Sequence, residues 1–264
     1  MMFTTHFNMT QNPFTENPPI DWLLKDERMA RSLARLDYLA TDGLLALVLG
    51  QTGVGKSSLL RMFISALSKN LYHPIYIHLT HLNASSLLRL IVAELGEQPR
   101  LGKDRLFRQI LQRAHKADAA TLLIIDEAHL LEPEALTDLR LLLSSPVDDA
   151  PKLKMVLCGQ EPLRSLLTRE SHADLANRIS VRCRLHPLTK DQTAAYIDER
   201  LRRSGATQKL FENEAKSIIH DYAAGVPRLI NNIATACLIH AAAQDANKIA
   251  EDTVNQVMNE FRLP

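Results

Sequence analysis

The sequence predicts an α/β fold in which helices flank a parallel sheet, followed by a C-terminal domain made only of helices. Three observations support this prediction. The apolar run 44–49 is followed by a glycine-rich turn and then an amphipathic helix, an order typical of a buried parallel strand. A second apolar run, 121–125, ends in two acidic residues. Beyond Pro187 the strand pattern stops, and about 190–204, 211–223, 227–243 and 250–261 are predicted as helices.

Composition and charge limit the classes of function. The chain has 264 residues, enough for a large core and a smaller second domain. Its net charge is +1, so any nucleic-acid contact must come from a local basic patch. The three cysteines are far apart and form no C-x-x-C pair, which disfavours zinc and disulfides. No signal pattern and no apolar run of spanning length is found, so we expect a soluble, cytoplasmic protein without membrane contact.

The glycine-rich turn after the first strand spans 50–57 and fits G-x-x-x-x-G-K-[ST], the phosphate-binding loop, or P-loop. Gly50 and Gly55 let the backbone N–H groups turn towards an anion, and the following helix offers its N-terminus to it. Lys56 is expected to reach the β- and γ-phosphates, and the Ser57 hydroxyl to ligate Mg²⁺. The sequence therefore predicts an ATP and Mg²⁺ site at Gly50, Gln51, Thr52, Gly53, Val54, Gly55, Lys56, Ser57 and Ser58.

The acidic pair at the end of the second apolar run completes this site. Asp126 is expected to hold Mg²⁺ through water, and Glu127 to polarise the attacking water. A plain helix cap is the alternative, because Pro133 soon begins a helix, but the upstream P-loop favours catalysis. The letters Asp-Glu-Ala-His also occur in helicases, which need two tandem domains that a chain with one P-loop cannot hold. His129 is therefore assigned no role beyond a possible hydrogen bond.

Three further polar side chains are placed near the phosphates. Gln160 follows the strand predicted over 152–160, at the sheet edge where ligands bind, and is expected to sense the γ-phosphate; a simple loop glutamine is the alternative. Arg178 or Arg182 is a candidate to stabilise transition-state charge on a neighbouring subunit's nucleotide, against a surface salt bridge. Arg228, at the start of a lid helix, is expected to point back towards the phosphates.

The N-terminal 20 residues are expected to be irregular, because their prolines oppose helix formation. They form either a disordered leader or a strap across the nucleotide base, and the apolar Phe14 and Ile20 favour the strap. We therefore expect three parts: the strap over 1–20, a nucleotide-binding α/β domain over 21–187, and a helical lid domain over 188–264. Asp26 is expected to cap the first helix of the α/β domain, through about Leu39.

This order of motifs resembles the AAA+ ATPases over essentially the whole chain. The stretches 7–14, 50–57 and 125–129 resemble the ExeA/GspA secretion ATPases and, equally, the TnsC/TniB/MuB-type ATPases that serve bacterial DDE transposons. The resemblance implies a P-loop AAA+ fold with a helical lid and a homo-oligomer, either a ring or a helical filament. It also implies that Gln160 is sensor one, Arg178 the arginine finger and Arg228 sensor two.

The most DNA-like feature is the basic segment 99–116. A solvated helix face is an equal alternative on the residues alone. In transposition ATPases of this kind, the corresponding loop and helix line a DNA-facing bore. The resemblance therefore implies phosphate contacts to double-stranded DNA from Arg100, Lys103 and Arg105, which position the duplex without reading its sequence.

Three functions are compatible with these features. The first is an ATP-dependent regulator of transposition that assembles on double-stranded DNA, selects target sites and recruits a DDE transposase. The second is a secretion-pathway assembly ATPase; such proteins continue into a membrane span and a cell-wall-binding region, whereas this sequence ends at Pro264, which favours transposition. The third is a non-catalytic nucleotide switch or scaffold, against which Lys56, Asp126 and Glu127 argue.

Overall fold

The structure is a computed structural model that describes residues 2–78, 82–144 and 152–261. The chain divides into two compact units. The sheet unit contains Ala30–Thr52 and Lys56–Leu185, and the helical unit contains Met1–Met29, Gly53–Gly55 and His186–Pro264. None of the helices within the described ranges combines the length and the apolar character that crossing a bilayer requires.

Five parallel strands form the sheet, which confirms the predicted α/β class. They are β1 (Leu45–Leu49), β2 (Tyr72–His78), β3 (Ala120–Asp126), β4 (Leu153–Gly159) and β5 (Ile179–Arg184). The spatial order is β2-β3-β4-β1-β5. All five residues of β1 are buried, as expected for an inner parallel strand covered on both faces. Because all strands run in one direction, their carboxyl ends lie along one edge of the sheet.

Twelve α-helices lie within the described ranges. They are α1 (Met2–His6), α2 (Glu27–Thr41), α3 (Lys56–Ala66), α4 (Ala84–Glu94), α5 (Lys103–Lys116), α6 (Pro133–Leu142), α7 (Glu161–Leu167), α8 (Ala173–Asn177), α9 (Lys190–Arg203), α10 (Asn213–Ala223), α11 (Pro227–Ala243) and α12 (Glu251–Phe261). As predicted, Asp26 caps α2: its carboxylate accepts the backbone N–H of Met29 at 3.0 Å. The core of the sheet unit is made mainly of leucine, isoleucine and alanine side chains from the strands and from the helices that flank them.

Helices α9–α12 form the helical unit together with the N-terminal segment. Thr189 begins α9 with a capping box, in which its hydroxyl and the side chain of Gln192 each satisfy a backbone N–H. The region beyond Pro187 is helical as predicted, apart from one isolated parallel bridge between Phe211 and Ile249. The core of this unit includes Phe211, which lies edge-on to Phe14.

The N-terminal segment differs from the predicted irregular conformation. Residues Met2–His6 form the short helix α1, and Phe3 and Phe7 are buried in the core of the helical unit. A helix this short is not stable alone, so the burial of its aromatic side chains supplies the stability that local sequence does not. The burial of α1 does not test whether this segment lies across a nucleotide base, so that role stays a prediction.

One buried arginine fixes the segment that follows α1. Arg200, on α9, is 2% exposed and donates to the backbone carbonyls of Pro13 at 2.5 Å and Thr15 at 3.0 Å. Its guanidinium also lies over the ring of Trp22, 5.8 Å from the centroid. Burial lowers the pKa of Arg200, so the hydrogen bonds and the aromatic ring together compensate for a charge that is removed from water.

Replacing Arg200 with alanine is expected to destabilise the helical unit by about 3 kcal/mol, because two buried carbonyls lose a charged donor. Thermal or urea unfolding measures the loss, and limited proteolysis reports release of the N-terminal segment. Arg202→Ala is the matched control: its side chain lies on the same helix, is 69% exposed and pairs with Glu199, so little or no loss of stability is expected. Equal effects of the two changes would show that Arg200 does not anchor the segment.

Candidate active site

The loop between β1 and α3 has the backbone conformation that its glycines allow. Gly53 and Gly55 have φ values of +76° and +110°, a region that side chains disfavour. The N–H of Gly50 donates to the carbonyl of Gly159 at 3.2 Å, which ties the start of the loop to the end of β4. The loop is therefore shaped by two positive-φ glycines and by a backbone contact to a neighbouring strand.

Lys56 begins α3 and turns back over this loop. Its ammonium donates to the carbonyls of Gly50 at 2.9 Å and Gln51 at 3.2 Å, and the residue is buried. The loop carbonyls therefore hold a desolvated positive charge within the curve of the loop, beside the N-terminus of α3. Both features favour an anion at this position.

Asp126 ends β3 and is fully buried. Its Oδ2 accepts from the hydroxyl of Ser57 at 3.0 Å and from the phenol of Tyr76 at 2.6 Å, and its Oδ1 accepts from the backbone N–H of Glu127 at 2.9 Å. Burial alone raises the pKa of Asp126, but these hydrogen bonds, led by that of Tyr76, outweigh it and bring the pKa below its ordinary value. The carboxylate is therefore charged at neutral pH.

Tyr76 was not identified as a site residue from the sequence. It lies on β2 beside β3, and its short bond to Asp126 is one of the closest contacts at the site. Burial and the adjacent carboxylate raise the pKa of Tyr76, so the phenol stays protonated and acts as a donor. The only sequence signal is a tyrosine near the carboxyl end of the second strand.

Glu127 leaves the strand in a left-handed conformation, with φ +56° and ψ +31°. This turn brings His129 next to two of the predicted site residues. The Nδ1 of His129 lies 3.2 Å from Oε2 of Glu127, and its Nε2 lies 3.0 Å from the amide nitrogen of Gln160. A histidine that is predicted to make at most a hydrogen bond thus joins Glu127 and Gln160, which are predicted separately.

The donor set fits Mg²⁺ bound together with a nucleotide. Ser57 and Asp126 present a hydroxyl and a carboxylate 3.0 Å apart, and oxygen atoms of this kind are the ligands that Mg²⁺ prefers. Within the described ranges, no cluster of three or more His, Cys, Asp or Glu side chains could enclose a metal ion by itself. Mg²⁺ at this position would need phosphate oxygens and water as further ligands, as is usual at P-loops.

Two of the predicted arginines each donate to a backbone carbonyl of their own unit. Arg178 follows α8 and donates to the carbonyl of Leu143 at 3.5 Å, and a role towards another subunit stays a prediction. Within the helical unit, the backbone N–H of Arg228 donates to the carbonyl of Gly53 at 3.3 Å. A Cβ added to Gly53 would lie 2.8 Å from Cβ of Arg228, so the glycine permits this approach. The sensor-two role of Arg228 also stays a prediction.

The three residues proposed to contact DNA differ in their surroundings. Lys103 pairs with Glu134 at 2.7 Å and with Asp138 at 2.9 Å, and these hydrogen bonds raise its pKa. The other two line a cleft of about 150 Å³ together with a third arginine and two glutamines: Arg100, Arg105, Arg108, Gln109 and Gln112. Lys103, one of the three residues predicted to contact DNA, is therefore already neutralised by two carboxylates.

Residues 40–167, which contain the P-loop and the acidic pair, match the family model described as AAA domain. The chain is also 31% identical over 265 residues to the general secretion pathway protein A of Aeromonas hydrophila. That alignment covers 96% of this chain and 47% of the relative, so the chain spans about half the length of the curated protein that it matches.

Solved structures show the same fold at low sequence identity. Cdc6p from Pyrobaculum aerophilum superposes with a TM-score of 0.76 at 20% identity, over 94% of this chain and 70% of that one. The ORC1 protein of Aeropyrum pernix, solved in complex with DNA, superposes with a TM-score of 0.68 at 16% identity, over 94% and 67%. The fold is therefore the P-loop AAA+ fold, and residues 40–167 are the part of the chain that is similar to the AAA domain family.

Tyr76→Phe is expected to lower the free energy of unfolding by about 1–2 kcal/mol at pH 7, because a charged, buried acceptor loses a donor. Since the pKa of Asp126 is lowered in the folded state, its stabilising contribution is present above the ordinary value of 3.8 and is lost as the pH falls through the folded value. The deficit of the variant should therefore begin to shrink below about pH 4 and shrink further as the pH falls towards the folded pKa of Asp126. Unfolding curves measured from pH 7 to pH 3 test this.

Tyr72→Phe is the matched control for this change. Tyr72 lies on the same strand and donates to the neutral carbonyl of Ala40 at 2.9 Å. Its loss is expected to cost about 1 kcal/mol with no dependence on pH in this range. A Tyr76→Phe deficit that stays constant down to pH 3 would contradict the link to Asp126.

Proposed function

We propose that this protein is an ATP hydrolase that assembles on double-stranded DNA in an ATP-dependent way and regulates transposition, by selecting target sites and recruiting a DDE transposase. The observation that carries the catalytic part is the 3.0 Å contact between Ser57 and Asp126. It brings the P-loop and the acidic end of β3 together, with Glu127 next in the chain. A hydrolase needs this juxtaposition, whereas an ordinary glycine turn does not.

Each residue has a separate part in the proposed reaction. Lys56 and the N-terminus of α3 bind the phosphates of ATP. Ser57 and, through water, Asp126 would hold Mg²⁺, which would supply charge neutralisation on the phosphate oxygens. Glu127 accepts a proton from the attacking water as general base. Arg178 of a neighbouring subunit stabilises the negative charge that develops on the transferred group, which makes hydrolysis depend on assembly.

The DNA-binding part rests on the cleft lined by Arg100, Arg105 and Arg108. No carboxylate is recorded as a partner of these three guanidinium groups among the described residues, and the neighbouring Leu101 is 79% exposed. On a chain with a net charge of only +1, such a local cationic face suits a phosphate backbone. The relative from Aeropyrum pernix, solved with DNA, has the same fold, which supports the proposal by analogy only.

A secretion-pathway assembly ATPase is the second candidate. It is favoured by the 31% identity to a general secretion pathway protein over 96% of this chain. The two candidates share the ATPase chemistry and differ in whether duplex DNA binds and stimulates assembly. A third candidate, a nucleotide switch that does not hydrolyse ATP, differs from both in the role of Glu127.

Glu127→Gln is expected to leave ATP binding unchanged and to lower turnover by about 10²–10⁴-fold, because the amide cannot accept the proton. The ATP-bound assembly should therefore persist. Phosphate release, equilibrium nucleotide binding and negative-stain imaging measure the three quantities. Glu132→Gln, a nearby exposed substitution, should behave like the wild type. Unchanged turnover in Glu127→Gln would remove Glu127 as general base.

Arg100→Ala/Arg105→Ala is expected to weaken binding to duplex DNA and to reduce the slope of log K against log salt by about two, since each phosphate contact contributes about 0.9. The effect should be independent of DNA sequence. Titrations at several salt concentrations in the presence of ATP measure the slope. Lys103→Ala should have a smaller effect, because Lys103 is already paired with two carboxylates.

Lys209→Ala/Lys248→Ala is the charge-matched control, since it removes two exposed cations from the helical unit. It should leave the slope unchanged. An unaltered slope in Arg100→Ala/Arg105→Ala would exclude this cleft from the interface. Wild-type protein that hydrolyses ATP but neither binds duplex DNA nor assembles on it would favour the secretion candidate.

A further inference from the structure

Gln160, His129 and Glu127 form a continuous polar chain across the carboxyl ends of β4 and β3. Gln160 lies between β4 and α7, as the N-cap of α7, and Glu127 follows β3. The ring of His129 lies between them, 3.0 Å from the Gln160 amide nitrogen and 3.2 Å from Glu127 Oε2. Its side chain is only 12% exposed. A single, largely buried imidazole thus joins Gln160, which is predicted to sense the γ-phosphate, to Glu127, which is predicted to polarise the attacking water.

The backbone fixes the position of this ring. The left-handed turn at Glu127 is followed by the short 3₁₀ helix Ala128–Leu130, which turns His129 back towards β4. A Cβ on Gly159 would lie 3.1 Å from the backbone nitrogen of His129 and 3.4 Å from its Nδ1. Glycine at the end of β4 therefore makes room for the ring. A surface histidine would need neither feature.

The partners determine which ring nitrogen carries the proton. The amide nitrogen of Gln160 faces Nε2, and because an amide N–H only donates, Nε2 must accept. In the neutral ring the proton then lies on Nδ1, which faces the carboxylate of Glu127. Within the described part of the chain, Nδ1 makes no aligned hydrogen bond, although Glu127 Oε2 is 3.2 Å away. A small rotation of the carboxylate completes this bond and satisfies a buried donor.

We propose that His129 is a positioning residue that orients the carboxylate of Glu127 and whose own tautomer is set by Gln160. The proposal rests on the hydrolase function given above. Gln160 is the side chain expected at the γ-phosphate, so a phosphate oxygen competes with Nε2 of His129 for its amide N–H. Nucleotide binding therefore affects Glu127 through the imidazole of His129. The orientation of the Glu127 carboxylate depends on His129, which does not itself touch substrate.

Substitutions of His129 separate its contact with Glu127 from its contact with Gln160. His129→Ala removes both contacts and is expected to lower kcat about tenfold with KM unchanged, as for other residues that orient a reacting group. The amide of asparagine ends near the position of Nδ1, so His129→Asn keeps a donor for Glu127 and should retain more of kcat than His129→Ala. The amide of glutamine ends near Nε2, so His129→Gln keeps only the contact to Gln160 and should resemble His129→Ala.

The matched control is His172→Gln. His172 is another histidine of the sheet unit, 3% exposed, and its Nε2 has no partner within the described residues. Its replacement should change stability but not kcat. A kcat of His129→Ala equal to that of the wild type, or an equal loss of kcat in His172→Gln, would overturn the positioning role.

Long-range ¹H–¹⁵N NMR provides a test that does not depend on hydrolysis. Among the ten histidines, the signal that disappears in His129→Asn is that of His129. Without nucleotide it should show the neutral tautomer protonated on Nδ1, and Gln160→Ala or a non-hydrolysable ATP analogue with Mg²⁺ should shift it. An Nε2-protonated ring in the nucleotide-free wild type would overturn the inference even in a protein that hydrolyses ATP. If the ring is protonated on Nδ1 but the protein does not hydrolyse ATP, the result would contradict the proposed function and not the contact between His129 and Gln160.

Discussion

The hydrogen bond between the Ser57 hydroxyl and the buried Asp126 carboxylate, at 3.0 Å, is the contact on which the rest of the site depends. The two residues are far apart in sequence and follow strands that are not neighbours, since β4 lies between β3 and β1. They meet because all five strands are parallel and their carboxyl ends share one edge. A change of strand order or direction would separate the P-loop from the acid without altering either motif.

The middle strand, β4, ends in a glycine, and the absence of a side chain there affects both neighbouring segments. β4 ends in Gly159, whose carbonyl accepts the N–H of Gly50 at 3.2 Å. The missing side chain leaves room for the backbone and ring of His129. One glycine therefore contacts the P-loop on one side and the segment after β3 on the other. The close approach of three strand ends is a packing constraint, and a larger residue at this position would push at least one of them away.

The predictability of each residue follows from the range of the interaction that positions it. Lys56 and Asp126 were predicted because their motifs are contiguous and each is preceded by its own apolar strand. Tyr76 was missed, because its role comes from β2 pairing with β3. His129 was missed, because its position depends on a left-handed turn that the letters do not show. The pairing of Lys103 with carboxylates on α6 likewise depends on how two helices pack, and no local pattern carries that information.

The distribution of charge at the site explains why its two ions stay available for ligands. A buried carboxylate needs partners, and Asp126 takes them from the neutral donors Ser57 and Tyr76. Lys56 turns instead to two loop carbonyls, and within the described ranges no ion pair joins it to Asp126. A direct salt bridge would cancel both charges and leave little attraction for Mg²⁺ or phosphate. Hydrogen bonds to neutral groups hold each ion in place and preserve its charge, so one edge of the sheet presents both a carboxylate and an ammonium group to the metal and nucleotide proposed above.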